Sequence, residues 1–144
     1  MMRKKKQAAS IYITETDRDR LSWLIESTRE RDGIENREYL DKLEDELDRA
    51  TIVDSKTIGA DVITMRSKVR LKDLVSGEAN VYSLVFPKEA DFNQGKISVL
   101  APIGTAILGF KKGDTIEWQV PSGLRRLKVD EVLYQPEAAG HFDL

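Results

Sequence analysis

The sequence predicts an α+β fold: a short N-terminal antiparallel helical hairpin (a coiled coil), then an antiparallel β-sheet domain wrapped on one short helix. Three observations predict it. Apolar residues recur at helical spacing between Thr14 and Ala50. After Ala50 the texture changes to β-branched, alternating stretches separated by Gly-containing turns. The run from Ile97 to Asp114, ISVLAPIGTAILGFKKGD, then reads as strand, helix and turn in quick succession.

Composition narrows the function classes. The chain has 144 residues, a net charge of −2 and no cysteine. A chain of this length buries roughly two-thirds of its surface on folding, so it requires no covalent staples. The lack of cysteine excludes a disulfide framework and thiolate metal sites, and suits a reducing compartment. The one histidine, His141, lies near the end in an expected tail, which argues against a His-dependent catalytic site. An electrostatic DNA-binding domain is usually strongly basic, and this chain is not. No apolar run approaches the length of a membrane span. Arg3 to Lys6 is basic, but Gln7-Ala8-Ala9-Ser10 is too short and polar for a signal segment. The expectation is a cytoplasmic protein with a disordered N-terminus over residues 1–10.

The hairpin is expected over residues 11–50. Ile11-Tyr12-Ile13 leads in, and Thr14 or Thr16 caps the first helix, with Asp17 or Asp19 three residues on. Leu21, Leu24, Ile25 and Thr28 form the apolar stripe, flanked by Trp23. Asp32-Gly33 breaks it. Asn36 caps a second helix whose seam is Leu40, Leu43 and Leu47. Two helices with a short link make an αα-hairpin, each roughly 22 Å long. Helices of that length are marginal alone, so they need each other or the main domain.

The main domain is expected over residues 51–136. Asp61 to Leu74 alternates as a strand, Ser76-Gly77 turns, and Val81 to Phe86 returns as a buried strand. Pro87 to Gly95 is a polar connection. In the central run, Pro102 suits the first helical position, and Gly109 suits the position after the helix, with Phe110 beside it. Ile116, Trp118 and Val120 alternate with polar residues, Pro121-Ser122-Gly123 turns, and Leu127, Val129 and Leu133 mark the return strand. Trp118 and Phe110 read as core. Residues 137–144 read as tail.

These residues carry a family resemblance over Val62 to Pro136. Glu89-Ala90-Asp91, Ile97-Ser98, Pro102, Ala106-Ile107-Leu108-Gly109, Gly113-Asp114 and Pro121-x-Gly123 stand in the order and spacing of the C-terminal domain of the GreA/GreB transcript-cleavage factors. That domain is FKBP-like. The hairpin is roughly half the Gre length, and Leu100-Ala101-Pro102-Ile103 stands where Gre factors commonly carry Asp-Ser-Pro. Both features resemble the Rnk regulators, relatives of the Gre factors.

The resemblance implies RNA polymerase as partner, docking at the rim of its secondary channel through Leu100, Ala101, Pro102 and Ile103, with the hairpin pointing into the channel. Nucleic acid would lie near the protein only within the transcription complex. In Gre factors, tip acids hold a Mg²⁺ in the polymerase active site. Glu30, Asp32 and Glu35 stand at the corresponding turn here, but a hairpin this short leaves them short of that site, where a displacement of ~1 Å already costs about a hundredfold. The expectation is a regulator that competes with Gre factors without cleaving transcripts. It carries no catalytic residue, metal or cofactor, no membrane contact and no small-molecule substrate. The competing expectations are a Gre-like cleavage factor with an acidic tip and an FKBP-like peptidyl-prolyl isomerase. Lys111-Lys112 and Arg125-Arg126 read as solubilising charges on strand edges, with a basic patch as the alternative.

Overall fold

A computed structural model describes residues 10–35, 37–120 and 122–142, with 118–120 described by backbone alone. The expected disorder of residues 1–9, capping by Asn36, Pro121 in its turn and the Trp118 side chain lie outside the described residues.

The chain opens with β1 (Tyr12–Thr14) and α1 (Glu15–Asp32), followed by α2 (Arg37–Arg49) and β2 (Thr51–Val53). Thr14 caps α1: its hydroxyl accepts from the Asp17 N–H at 3.0 Å. The Asp17 side chain does not complete a capping box. It reaches out of the helix to accept the Met65 N–H at 3.0 Å. Of the predicted stripes, Leu21, Ile25 and Thr28 on α1 and Leu40, Leu43 and Leu47 on α2 are buried, while Leu24 packs only partly against the core. Trp23 faces solvent at 68% exposure, because it lies on the side of α1 opposite that stripe. Gly33 ends α1 at φ 63° with its N–H on the Arg29 carbonyl. Arg29 then clamps the two helices, reaching Asp41 and Glu44 at 2.9 Å each.

A five-stranded sheet follows, built from β3 (Lys68–Asp73), β4 (Ala79–Val85), β5 (Lys96–Ser98), β6 (Thr115–Val120) and β7 (Gly123–Tyr134), with α3 (Pro102–Ile107) between β5 and β6. Its order is β5-β4-β3-β7-β6. The expectation of an antiparallel sheet needs correction: β5 runs parallel to β4, with Leu84 opposite Ile97, so the sheet is mixed. The connection from Pro87 to Gly95 crosses over and brings the chain back in the same direction, with 3₁₀ turns at Pro87–Glu89 and Phe92–Gln94. A further difference concerns Asp61 to Ser67, which is not strand. Val62 makes one bridge to Lys111, and Thr64 to Ser67 fold into a turn in which Ser67 Oγ accepts the Thr64 N–H. Arg66 occupies this turn at φ 66°, anchored to both Glu89 carboxylate oxygens.

One core joins hairpin and sheet. Ile11, Ile13, Leu21, Leu43 and Leu47 belong to the same buried cluster as Ile63, Val69, Leu84, Ile107, Phe110 and Val129. β1 and β2 form a separate parallel pair, Ile13 opposite Ile52, that seals the base of the hairpin. No helix among the described residues is long and apolar enough to cross a membrane.

Candidate functional site

The sequence-predicted site residues fall in two places, a corner at the start of α3 and the tip of the hairpin. The corner is rigid because β5 ends directly under α3. Ser98 Oγ accepts the Leu100 N–H at 3.0 Å and the Ser98 carbonyl accepts the Ala101 N–H at 3.0 Å. The Thr105 hydroxyl donates to the Val99 carbonyl at 2.6 Å. A Cβ at Gly104 would sit 2.0 Å from the Ser98 carbonyl oxygen, so only glycine allows this approach. Of the four predicted residues, Leu100 and Ile103 pack partly against the core and Ala101 is half-buried. Pro102 is exposed and is the residue that the corner presents outward.

The far end of α3 touches the hairpin. Gly109, at φ +85°, donates to the Ile63 carbonyl at 2.9 Å and accepts the Tyr12 N–H at 3.1 Å. A Cβ there would lie 2.8 Å from Ile11 Cβ. The corner and the hairpin base are therefore the two ends of one short helix, each held by a glycine contact that admits no side chain. This fixes the direction of the hairpin relative to Pro102.

At the tip, Glu30 and Glu35 are exposed, whereas Asp32 is half-buried and ion-paired with Arg31 at 3.1 Å. The structure thus brings the three acids to one end of the hairpin. No group of three or more potential metal-ligating side chains is assembled among the described residues.

Sequence reasoning missed the junction beneath the hairpin. Asp17 is 4% exposed. Burial is the main cause that pushes its carboxyl from the ordinary 3.8 up to about 6, with nearby Glu137 adding to the rise and the Met65 N–H, Arg20 and Arg66 opposing it. Glu137 in turn accepts the Thr64 hydroxyl at 2.7 Å. Thr16, Asp17, Ser55, Met65, Pro136, Glu137, His141 and Phe142 line a small cleft here. Residues 135–142, expected as tail in part, thus contact the fold: Gln135 is buried and donates to the Gly59 and Val62 carbonyls at 2.8 Å each. No spacing rule signals a buried Asp in the first turn of a helix, because acids are ordinary there. The glycine inside the six-residue α3 was the available signal for the corner's tight packing.

Residues 58–134 match the family described as transcription elongation factor, GreA/GreB, C-terminal. Residues 10–53 match the family described as Rnk N-terminus. The regulator of nucleoside diphosphate kinase of Escherichia coli (strain K12) is 37% identical over 134 residues, covering 92% of this chain and 96% of that protein. The transcription elongation factor GreA of Christiangramia forsetii is 31% identical over 135 residues, or 84% of this chain and 85% of that protein. A solved structure, the transcription elongation factor GreA/GreB from Nitrosomonas europaea, is 41% identical with a TM-score of 0.69, covering 87% of this chain and all of that one.

Proposed function

The chain belongs to the GreA/GreB C-terminal family, with an Rnk-type segment before that domain, and from this premise we propose that it is a transcription regulator acting on RNA polymerase. In this reading the domain over residues 51–136 is FKBP-like and docks at the rim of the secondary channel. Leu100, Ala101, Pro102 and Ile103 form the docking corner, with Pro102 making the outermost contact. The hairpin over residues 11–50 enters the channel. The protein works by occupying that site in the cytoplasm and competes there with Gre factors. It catalyses nothing itself.

One observation carries the reading: α3 holds the corner at one end and the hairpin base at the other. Docking through Pro102 therefore sets where the hairpin points. The 18 residues of α1 reach roughly 27 Å at 1.5 Å per residue. That length fills a channel mouth and leaves Glu30, Asp32 and Glu35 short of a metal deep within it. The partial ion pairing of Asp32 with Arg31 also suits a tip that does not ligate a metal.

Transcript cleavage on backtracked complexes tests the proposal. The protein alone adds no cleavage above polymerase, and rising concentrations suppress the cleavage stimulated by GreA. The variant Asp32→Asn with Glu35→Gln suppresses it equally. Stimulated cleavage by the wild-type chain, lost in that variant, would mean that the tip acids are catalytic and the reading is wrong.

A further inference from the structure

The cations that stand out in the sequence are neutralised in the fold. Arg125 pairs with Asp73 at 2.6 Å, Arg126 with Glu117 at 3.2 Å, Lys112 with Glu131 at 3.1 Å and Lys111 with Asp114 at 3.6 Å. The unpaired cations of the sheet are elsewhere. Among the described residues, Lys68, Lys72 and Lys128, with Lys96 at the β5 edge, are exposed and make no ion pair.

Lys68, Lys72 and Lys128 share one face. Val69, Leu71, Leu127 and Val129 are buried, so their alternates Lys68, Arg70, Lys72 and Lys128 point to the opposite, outward side. No described helix is seen to cover that side: α3 packs against β5 and β6, and the hairpin against β1, β2 and α3. Lys72 and Lys128 stand directly opposite each other across β3 and β7. Like charges in that position repel and destabilise the pair. Arg70, Lys128 and Lys72, with Arg70 foremost, hold the Asp130 carboxylate below its ordinary range, and Glu131, opposite Arg70, is taken up by Lys112. On the far flank, Ala79 and Val81 face Lys72 and Arg70 across β3 and β4.

We infer that this outward sheet face, centred on Lys68, Lys72 and Lys128, binds the phosphate backbone of double-stranded DNA without reading its sequence. From Lys68 to Lys72 the cations span about 13 Å of strand, over which one strand of a duplex presents about four phosphates. A polyanion relieves the Lys72–Lys128 repulsion further than Asp130 does, since that carboxylate is already hydrogen-bonded to Arg70 at 2.8 Å. The aromatic of the described face, Tyr134, stands at its edge opposite Lys68 and is engaged by His141, its hydroxyl 2.6 Å from the ring Nδ1. The described face thus offers no row of rings on which successive bases of a single strand stack, which favours a duplex. The acidic hairpin lies elsewhere on the molecule and leaves the sheet face as the cationic side. The inference is independent of polymerase docking.

The test is the salt dependence of binding by the full-length chain to a labelled 20-base-pair duplex, compared with the Lys72→Gln/Lys128→Gln variant. Each phosphate contact contributes about −0.9 to the slope of log K against log salt. Losing two contacts makes the slope shallower by about 1.8, so between 50 and 200 mM salt the wild type loses about 12-fold more affinity than the variant. The basic run from Arg3 to Lys6 is present in both, so the difference reports the sheet face. Lys111→Gln/Lys112→Gln, which removes paired cations, keeps the wild-type slope. The double lysine variant loses a like-charge repulsion together with the weak attraction of both lysines to Asp130, so it folds about as stably as wild type. Equal slopes for wild type and Lys72→Gln/Lys128→Gln would overturn the inference. So would tighter binding to single-stranded RNA or to an acidic peptide of equal charge than to the duplex.

Discussion

Replacing Asp17 by Asn is expected to stabilise the protein at neutral pH although it removes a hydrogen-bonding carboxylate. Asp17 is 4% exposed and accepts the Met65 N–H at 3.0 Å. Asn keeps an oxygen for that bond and discards the charge. The folded carboxyl titrates at about 6 against an ordinary 3.8. The native state therefore binds this proton more tightly than the unfolded chain does. The stability that the protonated carboxyl contributes is complete below 3.8 and is lost as pH rises through 6. A gap of about 2.2 units corresponds to about 3 kcal/mol at pH 7.5. The favourable placement of a carboxylate in the first turn of α1 offsets about 0.3–1 kcal/mol of this. The net expectation is that Asp17→Asn is about 2 kcal/mol more stable than wild type at pH 7.5. At pH 4 the two should agree to within about 1 kcal/mol. Urea denaturation at both pH values measures this, and the difference between the proteins cancels all other titrating groups. A variant less stable than wild type at pH 7.5, or a difference that does not change between pH 4 and 7.5, would refute the reasoning.

Other perturbations probe the remaining links. Gly104→Ala places a Cβ 2.0 Å from the Ser98 carbonyl oxygen, which forces α3 off β5 and costs about 3 kcal/mol or more in urea denaturation. Thr28 is 2% exposed and its hydroxyl has no hydrogen-bond partner among the described residues. Thr28→Val should therefore raise stability by about 1 kcal/mol in the same assay. Pro102→Asp, at an exposed position, should leave stability within about 0.5 kcal/mol and abolish binding to polymerase by light scattering or pull-down. Ile103→Asp is a poorer probe, because Ile103 packs against the core and its loss would confuse unfolding with undocking.

The parts of this fold that were legible in the sequence are those set by local period and turn chemistry. Leu21, Ile25 and Thr28, then Leu40, Leu43 and Leu47, mark the buried faces of two helices because helical spacing alone selects them. Pro102 and Gly109 bracket α3 for reasons of backbone geometry that act within a few residues. What was not legible depends on partners distant in the chain. β5 joins β4 in parallel only because the connection between them crosses over, and its three residues carry no sign of direction. The segment from Asp61 to Ser67 alternates like a strand, but the Thr64 and Ser67 hydroxyls satisfy its backbone locally and Arg66 turns it at φ 66°. β1 and β2 are too short to announce themselves, and they pair across the whole hairpin.

The candidate site divides along the same line. Leu100 to Ile103 and the three tip acids were nameable from order and resemblance. That Pro102 alone of the four is exposed follows from packing against a core that only the assembled chain contains. Lys111, Lys112, Arg125 and Arg126 were read as edge charges rather than a basic patch, and each meets an acid: Lys111 has Asp114 in its own turn, and the other three have acids of other strands. Asp17 looked like any helix-starting acid, and the partner that its carboxylate accepts from, the Met65 N–H, lies far along the chain.

The most direct test of the central claim is a binding titration of this protein against core RNA polymerase, with GreA added as competitor. The account predicts saturable binding with one protein per polymerase, displaced in full by GreA and absent for Pro102→Asp. No binding at micromolar protein, or binding that GreA leaves untouched, would contradict it.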